Sequence, residues 1–180
     1  MGPLFVSQSM ASVQQDRSQS HVIWQLQFAL SNESPDKALK TVVRLLRETS
    51  DYYDWVGIYL VKEENLVLAA YAGEAETEHV TIPIGQGICG LAAKQERTII
   101  VSDVNKDPRY LMCFPSTRSE IVIPIKGAGR VLGEIDIDSN RLSAFTLRDK
   151  EMLEEIASML STYLQSQRSS PQSQESVNLV

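Results

Sequence analysis

The sequence predicts a single α+β domain with a central, mostly antiparallel sheet and flanking helices. Two observations carry this prediction. The elements follow the order helix, helix, several strands and closing helix, which is typical of helices packed on one antiparallel sheet, and no segment is repeated. A chain of 180 residues, 43% of them hydrophobic, is also the right size for one core. The folded unit is expected over 21–166, between a flexible arm at 1–20 and a disordered tail at 167–180, because both ends are rich in Ser and Gln.

Helix boundaries are indicated by local capping signals. A first helix covers roughly 21–30, where apolar residues recur at helical spacing. The second begins with Ser34 as N-cap and Pro35 at the first helical position. The closing helix starts at Thr146, whose spacing to Asp149 is that of a capping box with Asp in the usual Glu position.

Strand patterns occupy the middle of the chain. They fall at 54–62, 66–72, 98–101, 119–126 and 130–138. Between the second and third of these, an extended segment passes through a glycine-rich turn at 85–87 into a short helix that contains Cys89.

The last strand carries an acidic ridge. Side chains alternate between the two faces of a strand, so one face holds Val131, Ile135 and Ile137, and the other holds Glu134, Asp136 and Asp138. Taken alone, three carboxylates on one face fit the solvated side of a half-buried strand. They also fit a site for an ammonium group, or a carboxylic acid whose neighbours raise its pKa.

Two aromatic residues share a face of the first strand. Trp55 and Tyr59 are separated on that face only by Gly57, so they are candidates for two walls of a small pocket. Aromatic walls suit a cationic or methyl-bearing group. The alternative is that both rings simply cover a helix.

Composition and charge exclude several classes of function. The net charge of −6 argues against nucleic-acid binding, which needs a surplus of Lys and Arg. No apolar run reaches the roughly 18 residues of a membrane helix, and the N-terminus lacks the basic start of a secretory signal. We therefore expect a cytoplasmic protein. The two His and two Cys show no metal-ligand spacing, so no metal site is predicted.

The two cysteines are candidate redox groups. Cys89 lies near a helix N-terminus, where the helix dipole favours a thiolate, and Cys113 lies in a loop with Arg109 and Arg118 available to lower its pKa. The chain between them returns through a strand, so the pair could reach the Cα separation of roughly 4.4–6.8 Å that a disulfide requires. Each cysteine taken singly also fits a buried small hydrophobe.

Four segments resemble one known family. They are Trp-Val-Gly-Ile-Tyr at 55–59, Ile-Pro-Ile-Gly-Gln-Gly-Ile-Cys-Gly at 82–90, Ser-Glu-Ile-Val-Ile-Pro at 119–124 and Gly-Glu-Ile-Asp-Ile-Asp-Ser at 133–139. With the cysteine pair, they resemble the free methionine-(R)-sulfoxide reductases, which have the GAF fold. The resemblance covers about 39–164.

This resemblance implies an oxidoreductase acting on free L-methionine-(R)-sulfoxide. In the family, the residue at the position of Cys113 attacks the sulfoxide sulfur and becomes a sulfenic acid. A second cysteine then forms an intramolecular disulfide, which thioredoxin reduces as the external reductant, with no bound cofactor. The family's substrate-binding residues match Trp55, Tyr59, Glu120, Asp136 and Asp138. The aromatic pair is expected around the methylsulfinyl group, and the carboxyls are expected to hold the ammonium group and deliver a proton.

One departure from the family concerns the second cysteine. Many members carry a further cysteine just before Ile-Pro, where this chain has His79. Other members have only the two cysteines present here, and in those the residue at the position of Cys89 resolves, so the resemblance implies this role for Cys89. His79 is expected at the surface, and the alternative is that it tunes a thiol. The alternatives are a GAF module that binds a small molecule without turnover, and a redox sensor. A homodimer through the first helix, with Trp24 and Phe28 as contacts, is also a candidate.

Overall fold

The computed structural model of the chain describes residues 21–169. The predicted arm at 1–20 lies outside the described residues, as does the predicted tail beyond 169. The helices are α1 (21–32), α2 (Pro35–Glu48), α3 (Gly87–Gln95) and α4 (Leu147–Ser169). The strands are β1 (Trp55–Lys62), β2 (Asn65–Ala72), β3 (Thr81–Pro83), β4 (Ile99–Val101), β5 (Ser119–Gly127) and β6 (Arg130–Ser139). Helix α4 therefore continues three residues beyond the predicted domain end at 166.

One six-stranded sheet forms the centre of the domain. Its strand order is β3-β2-β1-β6-β5-β4, and every pair of neighbours is antiparallel. The predicted α+β class is thus confirmed. The segment predicted only as extended before the glycine-rich turn contributes β3 at one edge.

The two faces of the sheet carry two separate hydrophobic clusters. Helices α2 and α4 pack on one face, where Val56, Ile58 and Ile135 join the apolar side of each helix. Leu26 of α1 is fully buried in the same cluster. The opposite face is covered by α3 and by the chain around 104–114, and this second cluster contains Trp55, Tyr59 and Cys89.

The predicted start signals of α2 and α4 are both confirmed. Ser34 is the N-cap of α2 with Pro35 next to it, although the Ser34 side chain makes no capping hydrogen bond. Ahead of α4, Thr146 N–H donates to Asp149 Oδ2 at 2.7 Å, and Asp149 N–H donates to Thr146 Oγ1 at 3.3 Å. Of the helices in the described part of the chain, none combines the length and apolar composition that a membrane crossing requires.

The alternation predicted for the last strand is wrong at one residue. Val131 packs in the cluster under α3, whereas Leu132, Ile135 and Ile137 lie in the cluster under α2 and α4. The cause is an irregularity in the β5–β6 ladder. Ile125 pairs with Gly133 and Lys126 pairs with Val131, so Leu132 is the extra residue on β6. One extra residue reverses the face of every side chain on one side of it.

Candidate active site

Strand register brings the predicted site residues into three cross-strand rows on the α3 face. Asp138 of β6 lies between Trp55 of β1 and Glu120 of β5. The next row along the strand holds Gly57, Asp136 and Val122, and the third holds Tyr59, Glu134 and Pro124. Because paired residues in a sheet share a face, the acidic ridge and the aromatic pair form one surface.

That surface is buried, so the hypothesis of a solvated ridge is wrong. Glu120, Glu134, Asp136 and Asp138 expose only 0–4% of their surface. Helix α3 packs over β5 and β6 and covers the ridge. Five of the eight carboxyl oxygens have no hydrogen-bond partner among the described residues: Glu120 Oε2, both oxygens of Glu134, Asp136 Oδ1 and Asp138 Oδ2. Buried carboxyl groups in this state favour the protonated form.

The pKa values of these carboxyls follow from burial and mutual repulsion. Burial is the largest cause of the raised pKa at each of the four, and it raises the pKa of Asp136 to about 7. Asp136 in turn raises the pKa of Glu120, Glu134 and Asp138. The site therefore holds protons near neutral pH, as a proton donor must.

Cys89 lies on top of the ridge, but not as a thiolate. Its thiol donates to Glu120 Oε1 at 3.7 Å, and its side chain is 5% exposed. Burial raises its pKa well above the usual value, and Asp136, Glu134 and Glu120 raise it further. The predicted lowering of the Cys89 pKa by the helix dipole is therefore wrong, because burial of the thiol, together with three neighbouring acidic groups, outweighs one helix end.

Cys113 is half-buried in the loop between β4 and β5, and its thiol donates to Leu111 O at 3.6 Å. Burial raises its pKa, with further increases from Asp136, Asp138 and Glu120. The predicted lowering of the Cys113 pKa by the nearby arginines is wrong too. Arg109 donates a hydrogen bond to Asp107 Oδ1 at 2.8 Å. Both cysteines are free. Asp136 and Glu120 raise the pKa of each thiol, so both sulfur atoms lie near the same carboxyls.

The aromatic walls are held by hydrogen bonds to one loop. Trp55 Nε1–H donates to Ala75 O at 3.1 Å, and Tyr59 O–H donates to His79 O at 3.2 Å. The Trp55 ring lies flat over Gly57, where an added Cβ would meet Trp55 Cη2 at 2.3 Å. A Cβ at Gly73 would likewise meet Trp55 Cδ1 at 2.3 Å, so both glycines are needed for the indole to lie against the sheet.

His79 contacts the loop that carries Cys113. Its Nε2 lies 3.2 Å from Met112 O, and the residue is half-buried. His79 is thus a partly exposed surface residue, as expected, with one contact to a neighbouring loop. At the position where many family members carry a cysteine, this chain has a side chain that ties the loop after β2 to the residue preceding Cys113.

One group of side chains has donor atoms close enough to share a metal ion. Among the described residues, Cys89, Glu120 and Asp136 form that group, with one donor atom from each within 4.8 Å of the others. That the protein has no functional metal site stays a prediction. Within this group, the Cys89 thiol donates a hydrogen bond to Glu120 Oε1.

Sequence reasoning left several residues out of the site. Glu134 lies on the predicted ridge without a predicted role, yet it is fully buried beside Asp136. Thr77 and Tyr110 interact with Cys113, and no sequence signal set them apart from ordinary loop residues. Their positions depend on how two long loops fold over the sheet.

Comparison with known proteins agrees with this geometry. The family model described as "GAF domain" matches residues 34–164. The free methionine-R-sulfoxide reductase of Saccharomyces cerevisiae is 41% identical over 111 residues, which are 59% of this chain and 61% of the yeast protein. The Escherichia coli protein of the same name is 32% identical over 120 residues, or 67% of this chain and 72% of that protein.

A solved structure extends the similarity to the whole domain. The free methionine-R-sulfoxide reductase from Neisseria meningitidis, in complex with its substrate, matches with a TM-score of 0.78 at 32% identity, covering 84% of this chain and 90% of that chain. The family model, the relatives and the shared architecture agree with the fold and the motifs described above. The chain therefore belongs to the GAF-domain family of free methionine-R-sulfoxide reductases.

Proposed function

We propose that this protein reduces free L-methionine-(R)-sulfoxide to L-methionine with its own two thiols. One observation carries the proposal: two free cysteines, Cys89 and Cys113, lie near the same buried, proton-holding carboxyls. Reduction of a sulfoxide needs both functions, a sulfur nucleophile and an acid that protonates the departing oxygen. The names of the yeast and Escherichia coli relatives support the same substrate.

The first step is attack by Cys113 on the sulfoxide sulfur. The Cys113 sulfur takes over the oxygen, which gains a proton from a carboxylic acid, while the Cys113 thiol proton passes to a carboxylate, so that methionine leaves and Cys113 becomes a sulfenic acid. Glu120, Asp136 and Asp138 supply the proton and hold the substrate ammonium in some combination. Trp55 and Tyr59 enclose the methylsulfinyl group. The bound ammonium also offsets the carboxylates that raise the pKa of the Cys113 thiol.

The second step regenerates the reduced site. The Cys89 thiol attacks the Cys113 sulfenic acid, a disulfide forms, and the hydroxyl leaves as water with the Cys89 proton. Glu120 accepts a hydrogen bond from the Cys89 thiol and is placed to carry that proton. Thioredoxin then reduces the disulfide by thiol–disulfide exchange.

The decisive experiment is a single turnover with separate R and S sulfoxide epimers. The wild type is expected to release one equivalent of methionine from the R epimer alone, with the loss of two thiols. Cys113→Ser should release none, because the nucleophile is gone. Cys89→Ser should still release one equivalent and keep a sulfenic acid that a dimedone-type reagent captures.

Two further measurements separate the alternatives. Thioredoxin, its reductase and NADPH should sustain turnover by the wild type but not by Cys89→Ser. A redox sensor would react as readily with hydrogen peroxide as with methionine sulfoxide, whereas the enzyme should prefer the sulfoxide. If the reduced wild type releases no methionine from either epimer, the proposal is overturned and a non-catalytic GAF module takes its place.

A further inference from the structure

A cavity of about 130 Å³ opens beside the buried site. Trp55 and Asp138, which belong to the first cross-strand row of the site, form part of its wall. Phe114 and Thr117, from the loop that carries Cys113, also line it. The cavity therefore adjoins the proposed sulfoxide pocket and is in a position to receive the end of the substrate that does not react.

This cavity carries charges of both signs. Its acidic residues are Asp54, Glu74 and Asp138, and Arg47 is the only basic side chain among the described residues that line it. Arg47 belongs to the last turn of α2, and its Nε–H donates to Asp54 O at 3.2 Å. That bond holds the exposed Arg47 side chain at the cavity and leaves its terminal nitrogens free of Asp54 O, and a guanidinium presents such nitrogens as a fork that fits a carboxylate.

A free amino acid presents the complementary pair of charges. Its ammonium group matches the carboxylates of the cavity, and its α-carboxylate needs a cation. A methionine sulfoxide inside a peptide has neither charge. We propose that Arg47 binds the α-carboxylate of free methionine sulfoxide and thereby helps restrict this site to the free amino acid. This inference rests on the proposed function and assigns the outer part of the same site.

A purely structural role for Arg47 makes a different prediction. As a cation in the last turn of α2, bonded to Asp54 O, it also stabilises the helix end. Loss of that role would disturb the site regardless of the substrate. Loss of a carboxylate contact would matter only for substrates that carry the carboxylate.

The test compares Arg47→Gln with the matched variant Arg44→Gln, one turn earlier on α2. Arg44 is exposed, donates to Glu48 at 3.1 Å and does not line the cavity. The substrates are free methionine-(R)-sulfoxide and its carboxamide, which keeps the ammonium group but has no carboxylate. Arg47→Gln is expected to raise KM for the free amino acid about tenfold with kcat nearly unchanged, the typical effect of losing one charge-assisted hydrogen bond. With the carboxamide, Arg47→Gln and Arg44→Gln should both behave like the wild type.

Binding without turnover gives an independent readout. Calorimetric titration of the reduced protein with methionine and with methionine amide should show the same pattern: weaker binding of methionine alone, in Arg47→Gln alone. Equal losses for both ligands would assign a structural role and overturn the inference, as would no loss for either. Because this titration needs no chemistry, it decides the role of Arg47 even if the release assay refutes the proposed function.

Discussion

Glu134 is fully buried in the third cross-strand row of the site, and neither of its carboxyl oxygens has a hydrogen-bond partner among the described residues. Burial and the neighbouring Asp136 raise its pKa well above the usual value of 4.5, and the Cys89 thiol opposes them only in part. The folded protein therefore binds the Glu134 proton more tightly than the unfolded chain does. Ionisation of this carboxyl is therefore less favourable in the folded protein than in the unfolded chain, and it lowers the free energy of unfolding.

We expect Glu134→Gln to remove one pH-dependent contribution to the free energy of unfolding that the wild type has. The wild type should be most stable below pH 4.5 with respect to this group and should lose stability as the pH rises through the folded pKa. Gln has no proton to lose, so by about pH 8 the free energy of unfolding of the variant should have risen by about 1–3 kcal/mol relative to that of the wild type. Urea denaturation over a pH series measures this difference. Glu64→Gln, in the exposed turn between β1 and β2, is the control, and a difference that does not vary with pH for Glu134→Gln would contradict the argument.

At the scale of elements, the start of α4 is tied to the chain before β1 through one carboxylate. Asp149 Oδ2 accepts the Thr146 N–H of the capping box, while Oδ1 accepts hydrogen bonds from Tyr52 and Tyr53 at 2.8 and 2.7 Å. Burial alone would raise the pKa of Asp149, but the hydrogen bonds from Thr146, Tyr53 and Tyr52 together lower it below 3.8. Its ionised form therefore stabilises the folded protein.

Asp149→Asn should destabilise the protein by about 1–3 kcal/mol near neutral pH, because an amide group cannot accept all of these hydrogen bonds. A lowered folded pKa means that the stabilisation is complete above the unfolded value of 3.8 and disappears as the pH falls through the folded value. The difference in the free energy of unfolding between the wild type and the variant should therefore become smaller at acidic pH. Chemical denaturation at neutral pH and at about pH 3 provides the measurement. Asp36→Asn, in the exposed first turn of α2, should change little, and a gap that is constant with pH would refute the role of the charge.

In the molecule as a whole, α1 presents an apolar face that residues 21–169 leave exposed. Leu26 and Ala29 are buried on its inner side, but Trp24 and Phe28 are 59% and 56% exposed, with ring centroids 5.9 Å apart. A pair of stacked, exposed aromatic rings is typical of an interaction surface. The homodimer predicted through this helix stays a prediction, as does the cytoplasmic location.

We expect sedimentation equilibrium to show a dimer for the wild type. In the double variant Trp24→Glu and Phe28→Glu, the dissociation constant should rise by about a hundredfold or more, because charges replace the aromatic contacts. Leu142→Glu, at a leucine that is 58% exposed and far along the chain from α1, is the control for added charge. A wild type that is monomeric at all concentrations, or a double variant that dimerises unchanged, would contradict this prediction.

Much of the fold and the main candidates for the site could be predicted from the sequence by itself. Ser34 with Pro35 and Thr146 with Asp149 mark helix starts through contacts a few residues apart, so the sequence around each start is enough to predict it. The alternation of Asp136 and Asp138 with apolar residues places both carboxyls on one face for the same local reason. The four motifs between 55 and 139, together with the cysteine pair, then indicate the family.

Only the tertiary structure decided the environment of those residues. Whether the acidic ridge is solvated or buried depends on α3, which is distant in sequence and packs over it. Burial beneath distant segments raises the pKa of each thiol, and carboxyls from β5 and β6 raise it further, so the local signals of a helix end and a nearby arginine gave the wrong sign. The one-residue irregularity beside Leu132 depends on how β6 pairs with β5. Burial, charge neighbours and strand register arise from contacts between distant segments, and local sequence patterns do not contain them.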